Sequence, residues 1–262
     1  MPEGDSVFQT AHRLREHLAG KTLVRGEVRH PRLSTVDLAG RVVLGVRSVG
    51  KHLFVRFDRD LSLHNHLLMD GSWRFAGPHP RLDHRARVVL STESTSAIGL
   101  NLHQLLFVRT NDEQQVVGHL GPDLLDPDWS ATHAAEAAAR LARDPAREIG
   151  LALLDQTLMA GVGNVYKAEV CFLLGVSPWT PMSEVDIPRA VELSRDLLLR
   201  NALNPNRNTT GDPRRNRNLW VYGRNRTGCL RCGGRVIVTK QGADVQERIT
   251  YYCPTCQPGP HP

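Results

Sequence analysis

The chain has 262 residues, 40% of them hydrophobic, enough for one large or two ordinary domains with real cores. No apolar run approaches the length of a membrane span, and the opening residues lack the charged and apolar segments of a secretory signal, so a cytoplasmic protein with no membrane partner is expected. Net charge is +6, but residues 200–262 hold 11 Lys and Arg against 3 Asp and Glu, and so basic a last quarter suggests a polyanion partner.

The chain opens MPEGDS. Such a stretch is ordinarily a frayed terminus. If Met1 is removed, however, Pro2 presents a secondary amine with the low basicity of an α-amino group, about 7.7–8.0 against about 10.4 for lysine. That amine can attack an aldehyde-like carbon and form a cationic iminium, with Glu3 beside it for proton transfer. Residues 5–19 then read as an amphipathic helix, with Val7, Ala11, Leu14 and Leu18 at helical spacing and Gly20 as its stop.

From about 22 to 118, runs such as TLVRGEVR, RVVLGVRSV, HLFVRF and ARVVLST alternate with turn signals, the pattern of a β-sandwich or barrel. Within it, Gly50 marks a turn and puts Lys51 at the mouth of a strand, as a solubilising residue or as a functional cation. Only Lys21, Lys51, Lys167 and Lys240 among the 33 basic residues are lysines, and arginine almost never gives up a proton, so a proton-transfer duty falls more naturally on one of these four. In HNHLLMDGSW at 64–73, Met69 stands in an Asp-Gly turn, where it is either core or an apolar wedge able to enter a base stack.

GPDLLDPDW at 121–129 reads as a linker. Residues 132–202 become helical, with AAEAAARLAR, EIGLALLDQTLMAG, NVYKAEVCFLLG and PRAVELSRDLLLRNAL as successive segments. Two amphipathic helices joined by Gly161-Val162-Gly163-Asn164 put Asn164 at an N-cap, either an ordinary helical hairpin or a phosphate site made by free N–H groups. Residues 204–218 are polar, basic and without periodicity, and a mobile loop is expected there.

Near the end, Cys229-x-x-Cys232 is followed after 20 residues by Cys253-x-x-Cys256, the spacing of a four-cysteine zinc site. Disulfides compete, but a cytoplasmic setting disfavours them. Four thiolates close the shell, so one structural zinc ion is expected, supplying folding energy to a hairpin too small for a core. Cys171, flanked by Val170, Phe172 and Leu173, reads as an inert core thiol. Arg248 is the one arginine in 236–262 and is either a plain surface residue or a contact to phosphate.

Taken together, MPEG, GKHL at 50–53, GPDLLDP at 121–127, LLDQ…AGVGNVYKAEV at 153–170, VYGR at 221–224 and CxxCG…CPTCQ resemble the family of formamidopyrimidine-DNA glycosylase and endonuclease VIII, in family order along essentially the whole chain. The resemblance implies an α+β multidomain fold: an N-terminal β-sandwich carrying the terminal helix (1–121), a linker (122–131), a helix–two-turn–helix domain (132–218) and a zinc-finger β-hairpin (219–262). It implies a monomer acting on damaged DNA, with Pro2 as nucleophile, Glu3 as general acid, Lys51 in phosphate binding and proton transfer, and His66, Met69, Asn164 and Arg248 on the DNA. Arg248 would also assist a second elimination by charge rather than as an acid.

The start MPEGDS in place of MPELPE, and a stretch LLFVRTND without a DxRRFG-like run, incline the resemblance toward endonuclease VIII and oxidised pyrimidines. Ser6 replaces a second acidic residue of the family, and the finger reads Arg224-Asn-Arg-Thr-Gly-Cys229 in place of RxGxPC. An oxidised-purine glycosylase and a non-catalytic zinc-finger binder of nucleic acid are the alternatives.

Overall fold

The computed structural model describes every residue except Met1, Arg32 and 244–246, and the statements below concern the described residues. It divides into two compact units, 1–119 and 120–262. The removal of Met1 lies outside the described residues.

The first unit opens with α1 (Gly4–Leu18), which buries the predicted stripe of Val7, Ala11, Leu14 and Leu18. Eight strands follow: β1 (Arg25–Val28), β2 (Val43–Val49), β3 (His52–Phe57), β4 (Leu61–His66), β5 (Ser72–Ala76), β6 (Ala86–Ser91), β7 (Ser96–Leu100) and β8 (Gln104–Val108). They form two antiparallel four-stranded sheets, ordered β1-β6-β7-β5 and β2-β3-β4-β8. Inward side chains of both sheets and of α1 share one core, in which Leu14, Leu53, Phe57, Leu63, Val88 and Leu90 are wholly buried. The two sheets are also tied by the Trp73 indole N–H, which donates to Asn65 Oδ1 at 3.3 Å.

A short helix, α2 (Glu113–Val117), falls at the end of the region read as all β. Its Glu113 carboxylate is buried and receives both a fork from Arg56 (2.9 and 2.6 Å) and the Ser62 hydroxyl (2.7 Å). A paired and hydrogen-bonded charge of this kind can be buried where a lone one could not.

In the second unit, residues 120–129 are built into the structure, with Gly121 N donating to Gln156 O and Asp123 bridging Ala160. The helices are α3 (Ala131–Leu141), α4 (Ile149–Ala152), α5 (Asn164–Leu174) and α6 (Ile187–Asn201). The helix expected over 148–161 stops after four residues. Asp155 Oδ1 accepts from the Thr157 N–H (3.0 Å), and Gln156 donates to Leu154 O and Val162 O while accepting from the Gly161 N–H. These side chains occupy the backbone groups that a longer helix would need.

The segment 204–218 holds no regular element, as expected, but it is laced rather than loose. Asn201 and Asn208 each bond loop backbone, and Asp212 pairs with Arg214 and Arg217. The finger is a hairpin of β9 (Ile237–Gln241) and β10 (Arg248–Tyr252). No helix among the described residues is long and apolar enough to cross a membrane.

Helix α5 is not amphipathic. Its residues 164–172 are buried on every side, Lys167 and Glu169 included. Glu169 accepts from three consecutive backbone N–H groups, Trp220 (2.8 Å), Val221 and Tyr222 (3.0 Å each), and from the Thr209 hydroxyl. Burial pushes its pKa up, against the pull of these donors. Truncation strands three N–H groups, that of the buried Val221 among them, and empties a buried site, so Glu169→Ala should cost roughly 3–5 kcal/mol or prevent the second unit from folding. Urea unfolding of the variant checks this, and a loss below about 1 kcal/mol would contradict it.

Candidate functional site

Pro2 is half-buried and leads directly into Glu3, the N-cap of α1, which has no exposed surface. The Glu3 carbonyl accepts from the Val7 N–H at 3.1 Å, and α1 is locked to the sandwich by its apolar stripe. The terminal residues are therefore not frayed: the packing of a 15-residue helix holds their backbone.

Strand pairing collects several other candidates at one end of the β2-β3-β4-β8 sheet. Gly50 and Lys51 make the two-residue turn between β2 and β3, and the register sets Val49 against His52, His52 against His66, and His66 against Gln104. The His52 and His64 rings lie stacked and share a hydrogen bond between Nδ1 and Nε2 at 2.9 Å. His66 meets His52 edge-on at 5.2 Å between centroids, and His119 does so from further out. Burial, reinforced by neighbouring imidazoles and Lys51, pushes His52 down to about 3; burial, then His66, and against Glu113, pushes His64 down to about 4. His66 is lowered by burial and then by Lys51. Sequence reasoning picked out His66 but missed His52 and His64, although alternate positions of a strand, His64-Asn-His66, are a readable signal.

Met69 is 69% exposed, so it is not a core residue. Its turn is braced from both sides. The Leu68 N–H donates to His66 Nδ1 at 3.0 Å, and the Gly71 N–H to Leu67 O at 2.8 Å. Leu68 has φ of 51°, in the left-handed region that costs a branched residue energy, and a Cβ at Gly71 would meet Leu67 O at 2.4 Å. With Nδ1 accepting, the neutral His66 ring carries its proton on Nε2, a donor suited to an anionic oxygen.

The second unit holds the rest. Gly163, not Asn164, is the N-cap of α5; Asn164 is the first helical residue. The Asn164 amide donates to Ile249 O at 2.7 Å, and its Oδ1 is buried without a partner among the described residues. Asn164 thus grips the finger strand next to Arg248, which is exposed at the start of β10.

The four cysteine sulfurs lie within 4.8 Å of one another, with Cys229–Cys256 at 3.9 Å and Cys232–Cys253 at 3.5 Å. A disulfide requires about 2.05 Å, whereas thiolates around a tetrahedral ion at about 2.3 Å stand about 3.8 Å apart. The cluster can hold a metal ion and fits that geometry. It is remote in kind from Cys171, whose buried thiol is pushed up to about 12, first by burial.

Sandwich with terminal helix, helical hairpin and four-cysteine finger together form the fold of a DNA glycosylase of Lactococcus lactis, Fpg, solved with abasic-site-containing DNA: the TM-score is 0.82 at 23% identity, covering 98% of this chain and 100% of that one. Residues 1–108 match the formamidopyrimidine-DNA glycosylase N-terminal domain, and residues 120–212 the formamidopyrimidine-DNA glycosylase H2TH domain. The chain is 50% identical over 269 residues to a "Probable endonuclease 8 2" of Streptomyces coelicolor, with 100% of this chain and 96% of the relative covered. It is 50% identical over 259 residues to a DNA-(apurinic or apyrimidinic site) lyase of Mycolicibacterium smegmatis, covering 98% and 99%. The chain belongs to the formamidopyrimidine-DNA glycosylase and endonuclease VIII family, as its motifs implied.

The histidine cluster gives a pH prediction. Folded pKa values below the ordinary 6.5 mean that the unfolded chain binds more protons on acidification, so the stability is complete above about pH 6.5 and is lost as pH falls toward about 4 and then 3. The melting temperature of a fragment or chain reporting on the first unit should fall over that range, and His64→Gln should flatten the fall. An acid slope unchanged by His64→Gln would show that the cluster is not its source.

Proposed function

We propose that this chain, a DNA glycosylase and AP lyase of base excision repair, removes oxidised pyrimidines through the secondary amine of Pro2, acting as a monomer on damaged DNA in the cytoplasm. The observation that carries the reading is the Pro2-Glu3 pair, fastened by a docked helix, with Glu3 wholly buried. The pyrimidine preference rests on relatives at 48–50% identity named endonuclease 8 and on the absence of the DxRRFG-like run.

A base within a duplex is out of reach, so the damaged nucleotide is extruded first. The exposed Met69 is suited to fill the gap it leaves, and the turn bracing it keeps the wedge stiff. The Pro2 nitrogen bonds to C1′ as the bond from C1′ to the base breaks, and the base leaves with the proton that the nitrogen sheds. Glu3 gives a proton to the ring oxygen, the sugar opens, and the nitrogen lone pair forms an iminium with C1′. The cation acidifies C2′–H. Its loss expels the 3′ phosphate, and a second elimination expels the 5′ phosphate. Lys51 is placed in this scheme as a cation for phosphate and proton exchange, and His66, Asn164 and Arg248 as phosphate contacts. For Asn164, the engaged side-chain amide makes the helix N-terminal N–H groups the better donors.

Zinc is the ion we assign to Cys229, Cys232, Cys253 and Cys256. When bound it supplies folding energy to the finger and takes no part in the chemistry. Metal analysis should give one zinc per chain, and chelation should abolish DNA binding while the first unit stays folded. Active protein with zinc near zero would refute the assignment.

Borohydride trapping tests the mechanism. Protein lacking Met1 should form a covalent adduct with DNA carrying an oxidised pyrimidine. Pro2→Gly, which offers only a primary amine, should lower trapping by about tenfold or more. Protein shown by mass to retain Met1 should give none, and full activity of that form would overturn the reading.

A further inference from the structure

Lys167 is the one lysine that the proposed chemistry does not use and that the structure buries completely. Burial of a lysine requires compensation. Here the Nζ donates to Thr250 Oγ1 at 2.5 Å. The Thr250 hydroxyl donates to Gln241 Oε1 at 3.2 Å, and the Gln241 amide donates to Glu148 Oε2 and to Pro178 O, each at 2.8 Å. Thr250 and Gln241 are themselves buried. The relay thus runs from the ammonium on α5 through both strands of the finger hairpin to a carboxylate beside α4. Gly150 makes room for it, since a Cβ there would meet Gln241 Oε1 at 2.3 Å.

The relay bears on Arg248 through geometry. Asn164 and Lys167 stand three apart on α5, hence on one face, and they grip consecutive residues of β10: the Ile249 carbonyl and the Thr250 hydroxyl. Arg248 immediately precedes them. By strand alternation it shares a face with Thr250 and Tyr252, and these two are buried while Arg248 is exposed. Arg248 therefore leaves the strand just beyond the last point at which β10 is clamped to α5. On the other strand, Gln241 is its register partner. The two residues that fix β10 at this point are thus the opposite strand neighbour of Arg248 and the residue two beyond it, and Lys167 holds that pair.

We propose that Lys167 is a positioning residue for Arg248: by clamping Thr250 it fixes where the finger presents its guanidinium to a DNA phosphate. This rests on the reading of Arg248 as a phosphate contact, and the test separates the two. Affinity for a duplex carrying a stable abasic-site analogue is measured against salt for the zinc-loaded full chain and four variants: Arg248→Ala, Lys167→Met, Thr250→Val and Thr250→Ser. Arg248→Ala should lower the slope of log affinity against log salt by about one unit. Lys167→Met, which keeps the aliphatic stem, and Thr250→Val, which cuts the same bond from the other side, should each lower it likewise with one zinc retained. Thr250→Ser, which keeps the hydroxyl, should restore the slope. Lys167→Met added to Arg248→Ala should change affinity by less than about twofold, because both act on one contact. If Arg248→Ala lowers the slope while Thr250→Val and Lys167→Met leave it intact, or if the losses multiply in the double variant, Lys167 is structural only. If Arg248→Ala itself leaves the slope unchanged, the reading of Arg248 fails and this inference with it.

Discussion

Helix α5 is buried on all sides over 164–172, and two of these residues, Lys167 and Glu169, carry side chains that are charged in water. That arrangement is tolerable only because each finds partners at once. Glu169 takes three backbone N–H groups in a row, from Trp220 to Tyr222, and so fixes the turn that leads into the finger. Phe172 and Ala168 on the same helix share a small core with Val221, Cys229, Val236 and Cys253. The finger is therefore not an appendage on a string. It is docked to α5 by a carboxylate at its entrance, by apolar contact along its body and by Asn164 and Lys167 at β10. Loss of Glu169 or Lys167 would remove the contact at the entrance or at β10 and leave the apolar contact and Asn164 to hold the finger.

The first unit solves a related problem by different means. The role proposed for Pro2 requires that its backbone be held in place. Four apolar residues at helical spacing anchor α1 in the sandwich core, and the anchoring carries Glu3 and Pro2 with it. Across the sheet, the turn carrying Met69 obtains the same stiffness from a strained backbone at Leu68 held by an imidazole. In both places the constraint lies one or two residues away from Pro2 or Met69, in a packed helix or a hydrogen bond.

Much of this was legible in the sequence, for reasons that differ by element. The α1 stripe and the strands at 43–49, 52–57 and 86–91 were readable because periodicity survives when one face is buried. The cysteine cluster was readable because ligand spacing is fixed by turn geometry. The helix over 148–161 was misread because its apolar residues keep helical spacing, while Asp155 and Gln156 turn their side chains back on the backbone, a choice that periodicity does not record. Asn164 was placed one residue early, at the cap, and its amide points to the finger instead. The imidazole stack of His52 and His64 needed the register of β3 and β4, which joins residues twelve apart.

The distribution of the two basic residue types completes the picture. Twenty-nine of the 33 basic residues are arginines, which suits a surface that meets phosphates with planar, permanently charged forks. Against that background the four lysines stand in different settings. Lys21 bonds a carbonyl at the end of α1, and Lys240 pairs with Glu247 in the open. Lys51 sits in a tight turn, where its charge helps to lower the pKa values of His52 and His66. Lys167 occupies a closed space on a helix packed on every side, and there a compact ammonium meets a hydroxyl. A guanidinium would bring five donors into the same space, each needing an acceptor. At Lys167 the closed space is occupied by an ammonium bonded to the buried Thr250 hydroxyl.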